Sequence, residues 1–401
     1  MKVAMVTNFF PPRVIGGAEL FAYDLCVELA RRGLSVEVFT SGHGRTRVER
    51  RDGITIHFFR SEPPFPKLTS DLFGYNFNPF AKAMTRELER GAHDVIHLHN
   101  INSTIMMYPL LLSLRSPVVC HVHDHWPVCY RGILYDPSKN QACSRIQPSC
   151  CFDPGHRLVG SVNLTLRAKL ISRFESSVTT FVSPSNYMKD ALLSRGFSTN
   201  SKIEVIPLGI DMGNIPHPPE RRTHRFVWAG RMVYYKNPRF VLDLASRNSI
   251  PTTAEFAFVG GGPELMALRS THERAPNPRV DFLGQRSRTE TIRAISEARA
   301  LLVPSLIPEN SPLVVHEALS TGTPVLCTPM GGTAELVQRS GAGGTIPLNR
   351  IDLWDEWLRK LTDEESFLKL SLVASDFARR HLKIEDSGKA MSALYDRLVS
   401  K

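Results

Sequence analysis

The sequence predicts an α/β protein built from two Rossmann-like domains. Three observations support this prediction. The chain has 401 residues, which is too many for one typical hydrophobic core. Short apolar runs alternate with stretches of helical periodicity, a pattern typical of parallel sheets. The pattern is interrupted once, by the segment Met212–Arg225, which is rich in proline and charge, and then begins again.

The first half opens with a strand, a helix and a second strand. "KVAMVTN" is an apolar run, "GGAELFAYDLCVELARRG" has near-helical spacing with Gly33 as a stop, and "SVEVFTS" is again apolar. Further strands are predicted at residues 54–59, 94–100, 117–123, 179–185 and 202–211, and helices at 79–90 and 166–175. We therefore expect an N-terminal domain over residues 1–208, with a cysteine-containing insertion at 130–156.

The second half repeats the alternation. Strands are predicted at residues 226–231, 254–264 (with its turn), 279–284, 301–305 and 323–328, and helices at 237–246, 264–275, 289–300, 311–322 and 331–341. We expect a C-terminal domain over residues 209–380. The last segment, 381–401, is an amphipathic helix that we expect to pack back on the N-terminal domain.

The composition indicates which kinds of ligand the protein could bind. The net charge is +10, with 42% hydrophobic and 22% charged residues. A basic chain suits phosphate-bearing ligands or an anionic membrane surface, and it has no nucleic-acid-binding signature. The apolar runs, such as Ile105–Leu112, are too short to cross a bilayer, and the first residues resemble a strand more than a signal peptide. We predict a cytoplasmic protein.

Two carboxylates flank the start of a predicted helix. In "PENSPLVVHEALSTG", Glu309 and Glu317 stand eight residues apart. Ser311 is a good N-cap and Pro312 suits the first helical position. The unpaired amides of that helix start would favour anions or hydroxyl groups, and the carboxylates could accept hydrogen bonds from a polyhydroxylated ligand. The alternative is that both carboxylates are surface charges.

Cations and glycines follow two other strands. Arg231 and Lys236 come directly after the first strand of the second half, where two fixed cations could bind a phosphate-bearing ligand. Gly16 and Gly17 open the first helix, as phosphate-binding loops do, but they do not form a dinucleotide fingerprint.

These motifs together resemble one family. Their order and spacing are those of retaining glycosyltransferases of family 4. The motifs that carry the resemblance are "EN-SPLVVH-E" with the following "TGTPVLCTPMGGTAELV", "GRMVYYKNP", "FVGGGPE", "IEVIPLGID" and "FFPPRVIGGAELFAYDLCVELARRG". The resemblance covers essentially the whole chain. It implies the GT-B fold, in which two Rossmann-like domains face each other across a cleft.

The resemblance also implies a reaction. Members transfer a hexose from a UDP- or GDP-linked sugar to a hydroxyl acceptor in the synthesis of cell-surface polysaccharides, glycolipids or metabolites. The transfer proceeds at the front face with retention of configuration, and the motif set implies that no metal or other cofactor is needed. The rivals are a GT-B nucleotide-sugar epimerase and a non-catalytic relative. The acceptor could be a saccharide or lipid-linked, and peripheral contact with the inner face of the plasma membrane stays open.

Site residues follow from the same resemblance. Arg231 and Lys236 would hold the diphosphate, Glu309 the sugar hydroxyls and Glu317 the ribose. The donor-binding set is Gly16, Gly17, Gly230, Gly261, Asn310, Ser311, Pro312, Leu313 and Glu317.

Three histidines and an aspartate occur together in "CHVHDHWPVC". Strand alternation would place His121, His123 and His125 on one face, which makes a metal site one interpretation. The resemblance to an "HDYW…CPRG" variant of the family favours another. It places His123 at the acceptor side of the donor sugar as a catalytic residue, with Asp124 as its orienting neighbour, and leaves His121 and His125 as structural residues.

Four of the seven cysteines lie close together in the sequence. Cys129, Cys143, Cys150 and Cys151 fall within or beside the insertion at 130–156, without the paired C-x2-C spacing of common zinc sites. A structural zinc and packed thiols in an acceptor-side flap both stay open. Cys26, Cys120 and Cys327 lie in apolar stretches, and we expect them to be buried thiols.

Overall fold

A computed structural model of the chain describes residues 1–42, 45–60, 80–99, 115–129, 131–136, 141–143, 168–169, 171–197, 202–217, 219 and 221–400. The chain divides into two compact units. The first comprises Met1–Leu208 together with Ile384–Lys401, and the second comprises Gly209–Lys383.

The first unit is built on a sheet that is parallel except at one edge. Its described strands are β1 (Lys2–Thr7), β2 (Ser35–Gly42), β3 (Arg47–Arg51), β4 (Ile54–Arg60), β5 (Val95–Leu98), β6 (Val118–His121), β9 (Thr180–Ser183) and β10 (Ile203–Val205). They lie in the order β10-β9-β6-β5-β1-β2-β4-β3, and only the β3–β4 pair is antiparallel among them. Two short strands, β7 (Tyr135–Asp136) and β8 (Gln141–Ala142), form a separate hairpin in the insertion.

Helices connect the parallel strands of this unit. They are α1 (Gly17–Arg31), α2 (Phe80–Gly91) and α3 (Asn186–Leu193), with a further helical segment over residues 171–177. Helix α1 ends where Gly33 adopts a φ of +87° and its amide donates to Ala30 O at 2.9 Å. A left-handed residue there satisfies the last carbonyls of a helix, so the predicted glycine stop is present.

The second unit is built on a fully parallel sheet. Its strands are β11 (Arg225–Ala229), β12 (Glu255–Val259), β13 (Val280–Gly284), β14 (Ala300–Val303), β15 (Val325–Cys327) and β16 (Gly343–Thr345). Their order is β13-β12-β11-β14-β15-β16. The chain therefore reverses direction across the sheet next to β11, and the carboxyl ends of β11 and β14 are neighbours. Ligands of open parallel sheets bind at such a point.

Helices cover both faces of this sheet. They are α4 (Pro238–Ala245), α5 (Leu265–Arg274), α6 (Arg288–Ser296), α7 (Leu313–Ser320), α8 (Gly331–Ser340), α9 (Ile351–Thr362) and α10 (Glu364–His381). One core cluster includes Phe226, Phe256 and Trp354, and a second includes Val227, Leu301 and Val315. Adjacent strand residues thus enter opposite clusters, as the alternation of a pleated strand requires.

The closing helix α11 (Ile384–Val399) belongs to the first unit and packs on α1. Arg32 donates to the Glu385 carbonyl at 2.6 Å, and an added Cβ on Gly388 would lie 2.5 Å from Glu28 Cγ. A residue without a side chain is therefore needed where the two helices cross. None of the described helices is long and apolar enough to span a membrane.

Several details differ from the sequence prediction. Strand β16 and helices α9 and α10 were not among the predicted elements. The edge strand β3, "RVERR", was not predicted because its charged residues lack an apolar alternation. Helix α7 begins at Leu313 with Pro312 as the N-cap, one residue later than Ser311 as cap would give. Residues 166–167 of the predicted helix at 166–175, and most of the insertion at 130–156, lie outside the described residues.

Candidate active site

Lys236 and Glu309 of the second unit form an ion pair. Lys236 ends a 3-10 turn that follows β11, and Glu309 lies in the loop after β14. Lys236 Nζ is 2.7 Å from Glu309 Oε2, and their side chains are 23% and 10% exposed. The Ser305 hydroxyl donates to the other carboxylate oxygen. Both oxygens of Glu309 are thus held by protein donors at the carboxyl ends of adjacent strands.

A second cation stands beside this pair. Arg231 is exposed and donates from Nη2 to the Tyr235 hydroxyl at 2.5 Å. Gly230, which precedes it, adopts a φ of +151°, and an added Cβ would lie 3.7 Å from Lys236 Cδ. Arg231 and Lys236 therefore come from one turn, and together they can bind a dianionic group.

The glycine turn after β12 contacts the backbone of the turn that carries Arg231 and Lys236, called here the cationic turn. Met232 N donates to Gly261 O at 2.7 Å. An added Cβ on Gly260 would lie 1.9 Å from the Gly230 carbonyl, and Gly260 has a φ of +128°. Gly261 itself would meet only the Gln285 side chain, at 3.6 Å. The close backbone contact with the cationic turn therefore requires glycine at positions 260 and 262, and not at the predicted Gly261.

The start of α7 differs from the expected capping. Ser311 is not the N-cap, and its hydroxyl is instead 2.7 Å from His316 Nε2 on the same helix. The capping residue Pro312 has no side-chain donor or acceptor, so the Leu313 and Val314 amides lie in the first turn, where no intrahelical partner exists. Asn310 is buried at 5% exposure immediately before this turn. The helix start keeps the donor amides that the sequence predicted.

Gly331 at the start of α8 fixes the backbone of the Glu309 loop. Its φ is +77°, and an added Cβ would lie 2.4 Å from Glu309 O. The Thr333 amide donates to the same carbonyl at 3.3 Å. The motif "GGTAELV" was recognised in the sequence, but no role was predicted for Gly331. The close backbone approach makes Gly331 a residue that positions Glu309.

Glu317 has a partner that sequence reasoning missed. It lies one to two turns into α7, and its Oε1 is 2.8 Å from Arg288 Nε at the start of α6. The Glu317 and Arg288 side chains are 6% and 25% exposed. A charged hydrogen-bond partner holds a buried carboxylate in a defined orientation.

In the first unit, the Gly16–Gly17 turn is occupied by a carboxylate. Gly16 is the N-cap of α1, and its amide donates to Glu19 Oε2 at 2.7 Å. The Ile15 amide donates to the same oxygen at 3.3 Å. Glu19 is 3% exposed. These two amides therefore already bind an anion supplied by the protein.

His123 lies at the edge of a group of buried histidines. Its ring stacks on His121 at 4.5 Å with an angle of 4° between the planes, and its Nε2 is 2.9 Å from His99 Nδ1. Burial lowers the pKa of His123 to about 4. The imidazole is therefore neutral near pH 7, with one nitrogen held by a neighbour. His97 and His99 were not singled out from the sequence.

One expectation for the "HVHDH" segment needs correction. Strand β6 ends at His121, so His125 is not on the same face. It packs against Tyr187 at 5.9 Å, its amide donates to Gly132 O, and burial lowers its pKa to about 4. The Asp124 carboxylate is exposed and accepts from the Trp126 amide at 2.7 Å. The orienting role of Asp124 towards His123 stays a prediction.

The cysteines fall into two groups. Cys26, Cys120 and Cys327 are buried, as predicted, and burial raises their thiol pKa values, to about 12 for Cys327. Cys129 and Cys143 are buried, and Cys150 and Cys151 lie outside the described residues. Within the described part of the chain, the group of side chains that could hold a metal ion is His97, His99 and His121.

These features define a class of protein. The chain has the fold of a GT-B glycosyltransferase, with two parallel-sheet α/β units. At the carboxyl ends of β11 and β14 it places two cations, a carboxylate held by two donors, and the start of a helix. The model of the family described as Glycosyltransferase Family 4 matches residues 15–214, and that described as Glycosyl transferases group 1 matches residues 223–363. The chain belongs to the family 4 glycosyltransferases, and it is an enzyme of the EC 2.4 class.

Known proteins agree with this assignment. A D-inositol 3-phosphate glycosyltransferase from Nocardioides is 23% identical, covering 88% of this chain and 79% of its own. A UDP-Gal:alpha-D-GlcNAc-diphosphoundecaprenol alpha-1,3-galactosyltransferase from Escherichia coli is 25% identical, covering 69% and 68%. The solved structure of Anabaena HepE in complex with UDP-glucose is 18% identical with a TM-score of 0.74, covering 99% of this chain and 100% of that one.

Proposed function

We propose that the protein transfers a hexose from a nucleotide-diphosphate sugar to a hydroxyl acceptor with retention of the anomeric configuration. The observation that carries this proposal is the Lys236–Glu309 contact of 2.7 Å, with Arg231 on the same turn. The arrangement offers fixed positive charge for a diphosphate and a fixed carboxylate for sugar hydroxyls within one site.

The cations act on the leaving group. Cleavage of the bond between the anomeric carbon and the phosphate oxygen leaves charge on the diphosphate, and pre-positioned cations stabilise that charge as it develops. Arg231 and Lys236 supply it from one turn, and the first-turn amides of α7 add the positive end of a helix. We propose that no metal ion is required at this diphosphate site.

The carboxylates orient the donor. Both oxygens of Glu309 already have a protein donor, and each retains a second lone pair for a sugar hydroxyl. Because Lys236 and Ser305 hold the carboxylate in place, little ordering is needed when the sugar binds. Glu317, held by Arg288, would accept from the ribose hydroxyls.

The proposed stereochemical course is the one that membership of this family implies. We propose that the acceptor hydroxyl attacks from the face that the diphosphate leaves. The new bond joins the acceptor oxygen to the anomeric carbon, the bond to the phosphate oxygen breaks, and the leaving phosphate takes the acceptor proton. His123, neutral at pH 7, would orient the acceptor or the sugar.

The donor and acceptor are narrowed by relatives. UDP-glucose is bound by the HepE structure, and the Escherichia coli relative is named for UDP-Gal and a lipid-linked acceptor. These names favour a UDP sugar, with a GDP sugar as the alternative. The Glu19 carboxylate in the Gly16–Gly17 turn disfavours phosphate there and suits a hydroxyl acceptor. The net charge of +10 suits a phosphate-bearing or lipid-linked acceptor at a membrane surface.

Stereochemistry and donor are tested together by NMR. The protein is incubated with UDP-glucose, UDP-galactose or GDP-mannose, and the anomeric proton of the sugar released to water, or transferred to an added glycoside, is followed. Each donor is an α-glycoside, so we expect the first-formed product to be the α-anomer. A first-formed β-anomer would overturn the retaining mechanism.

Variants test the residues. We expect Lys236→Ala to lower turnover by about 10²–10³-fold, the loss typical of removing one group that stabilises transition-state charge. Lys369→Ala, at an exposed position of α10, is the matched control and should leave turnover unchanged. Normal turnover in Lys236→Ala, with the fold intact, would remove this site from the proposal.

A further inference from the structure

Three histidines of the first unit are buried together, and no carboxylate among the described residues forms an ion pair with them. His97 is the penultimate residue of strand β5, His121 ends β6, and His99 follows β5 directly. Their exposures are 0%, 0% and 1%. The β5–β6 register pairs Leu98 with Cys120, which brings the next residues, His99 and His121, side by side. Their ring centroids are 5.0 Å apart.

Nitrogen atoms of this trio lack partners. Within the described part of the chain, Nε2 of His97, Nε2 of His99 and both ring nitrogens of His121 are buried without a hydrogen bond. One ligand atom from each residue lies within 4.8 Å of the others. Buried polar atoms are rarely left unpaired in folded proteins, so several in one place call for a bound species.

The other nitrogens of two members are already held. His97 Nδ1 is 2.6 Å from the Tyr395 hydroxyl of α11, and His99 Nδ1 is 2.9 Å from His123 Nε2. Histidines that bind a metal through one nitrogen use the other for such a second contact, which fixes the ring and the tautomer. In His97 and in His99 the hydrogen-bonded nitrogen is Nδ1, so Nε2 of each ring is available to bind a metal ion.

We propose that His97, His99 and His121 form a binding site for one divalent transition-metal ion, of the kind that imidazole nitrogen prefers. Zn²⁺ is the natural candidate, with water or hydroxide as a fourth ligand. Zinc–nitrogen bonds of about 2.1 Å place tetrahedral ligand atoms about 3.4 Å apart. The three rings would therefore draw together by about an ångström when the ion binds.

The protonation states suit this role. Burial lowers the pKa of all three imidazoles well below the usual value, and neighbouring histidines add to the effect for each. The rings are neutral, which is the form that binds metal. The Phe21 ring packs at 5.4 Å from His121 and contributes an apolar wall.

The ion would also act on His123. A metal on His99 Nε2 leaves the proton on His99 Nδ1, which must then donate to His123 Nε2. His123 would in turn carry its own proton on Nδ1. This consequence rests on the acceptor-side role proposed for His123, whereas the metal site itself does not. In this reading His99 is a positioning residue that sets the tautomer presented by His123.

Metal content tests the site directly. The full chain, purified without a metal-affinity tag, is stripped with a chelator and titrated with Zn²⁺ or Co²⁺. The bound ion is quantified by elemental analysis, and Co²⁺ is also observed through its visible absorption. We expect His121→Gln to bind one equivalent less than the wild type, and His125→Gln, a buried histidine outside the trio, to bind the full amount.

The outcomes separate cleanly. Intense near-ultraviolet thiolate-to-Co²⁺ absorption would report an ion at cysteines, and unchanged metal content in His121→Gln would then overturn the histidine site. No stoichiometric Zn²⁺ or Co²⁺ binding by the wild type would overturn it as well. If His121→Gln fails to fold, His97→Gln replaces it, with the same loss of one equivalent expected.

A second measurement does not depend on activity. Long-range ¹H–¹⁵N NMR of histidine rings reports which nitrogen carries the proton. With Zn²⁺ bound, we expect His123 protonated on Nδ1 in the wild type. Zn²⁺ that leaves the histidine ring signals unmoved would contradict the proposal. Neither measurement uses a sugar nucleotide, so failure here would leave the proposed transfer reaction standing.

Discussion

At the scale of single residues, the second unit depends on paired charges that are only partly exposed. The Lys236–Glu309 pair joins the turn after β11 to the loop after β14, and the Arg288–Glu317 pair joins α6 to α7. Such pairs contribute less to net stability than to geometry, because desolvation offsets much of the attraction. We propose that they hold the two carboxylates in one orientation for a ligand.

The Arg288–Glu317 pair gives a testable consequence. Arg288→Met leaves the Glu317 carboxylate buried without its charged partner, and we expect a loss of about 2 kcal/mol in unfolding free energy. This is below the range for fully buried pairs because the Arg288 side chain is 25% exposed. Chemical denaturation of the variant measures the change.

The matched control for this prediction is Arg293→Met, which removes an exposed arginine from the same helix. It should change stability by less than 0.5 kcal/mol, the usual limit for surface substitutions. Adding Glu317→Gln to Arg288→Met should recover part of the loss, since the unpaired charge is gone. Equal effects of Arg288→Met and Arg293→Met would contradict the role of the pair.

At the scale of elements, the site is assembled from turns that meet through their backbones. The turn after β11 contacts the turn after β12, and the start of α8 contacts the Glu309 loop. Glycines at these contacts allow main chains to approach where any side chain would intervene. The cationic turn and the carboxylate loop are thereby held by the sheet ends beneath them.

Gly331 tests this arrangement. Gly331→Ala places a Cβ 2.4 Å from Glu309 O at a φ of +77°, so the loop must move. We expect a stability loss of about 1–3 kcal/mol from the backbone conformation and a fall in kcat of at least tenfold, from misplacement of Glu309. Steady-state kinetics on the folded enzyme measures the second effect.

Gly341 at the other end of α8 provides the control. It has a similar φ of +63°, but an added Cβ would meet only Val373 Cγ1, at 3.8 Å. Gly341→Ala should cost stability through the same backbone strain while kcat stays near the wild-type value. A similar kcat in the two variants would show that Gly331 does not position Glu309.

At the scale of the whole molecule, the chain leaves its first unit and returns to it at the end. Helix α11 packs on α1, and Tyr395 reaches His97. The first unit is therefore completed only after the second has been synthesised.

Gly388 tests the return of the chain. Gly388→Val would collide with Glu28 Cγ, 2.5 Å from the added Cβ, and displace α11 from α1. We expect about 1–3 kcal/mol of destabilisation from overpacking. Hydrogen exchange should show faster exchange of α1 amides.

Ala393→Val, at an exposed position of α11, introduces the same side chain away from the contact. It should leave α1 protection nearly unchanged. Protection of α1 that is equal in both variants would mean that the packing of α11 on α1 does not stabilise the first unit.

Much of this organisation was predictable from the sequence. The alternation of strands and helices gave both sheets, and the motif spacing identified the family. The exceptions have physical causes. Strand β3 is charged because it is an edge strand, so apolar alternation could not reveal it. The sequence "HLH", which contains His97 and His99, is typical of an ordinary strand end. That these histidines lie close to His121 depends on the β5–β6 register. Likewise, the pairing of Arg288 with Glu317 depends on how α6 and α7 pack.

The central claim is that Lys236 and its neighbours bind the diphosphate of a sugar nucleotide without a metal ion. Calorimetric titration of UDP, GDP and ADP into the wild type, Lys236→Ala and Lys369→Ala, each with chelator and with added Mg²⁺, tests it most directly. We predict that one nucleotide binds tightly, that chelator and Mg²⁺ leave its affinity unchanged, and that Lys236→Ala alone loses it. Binding that requires Mg²⁺, or that survives in Lys236→Ala, would contradict the claim.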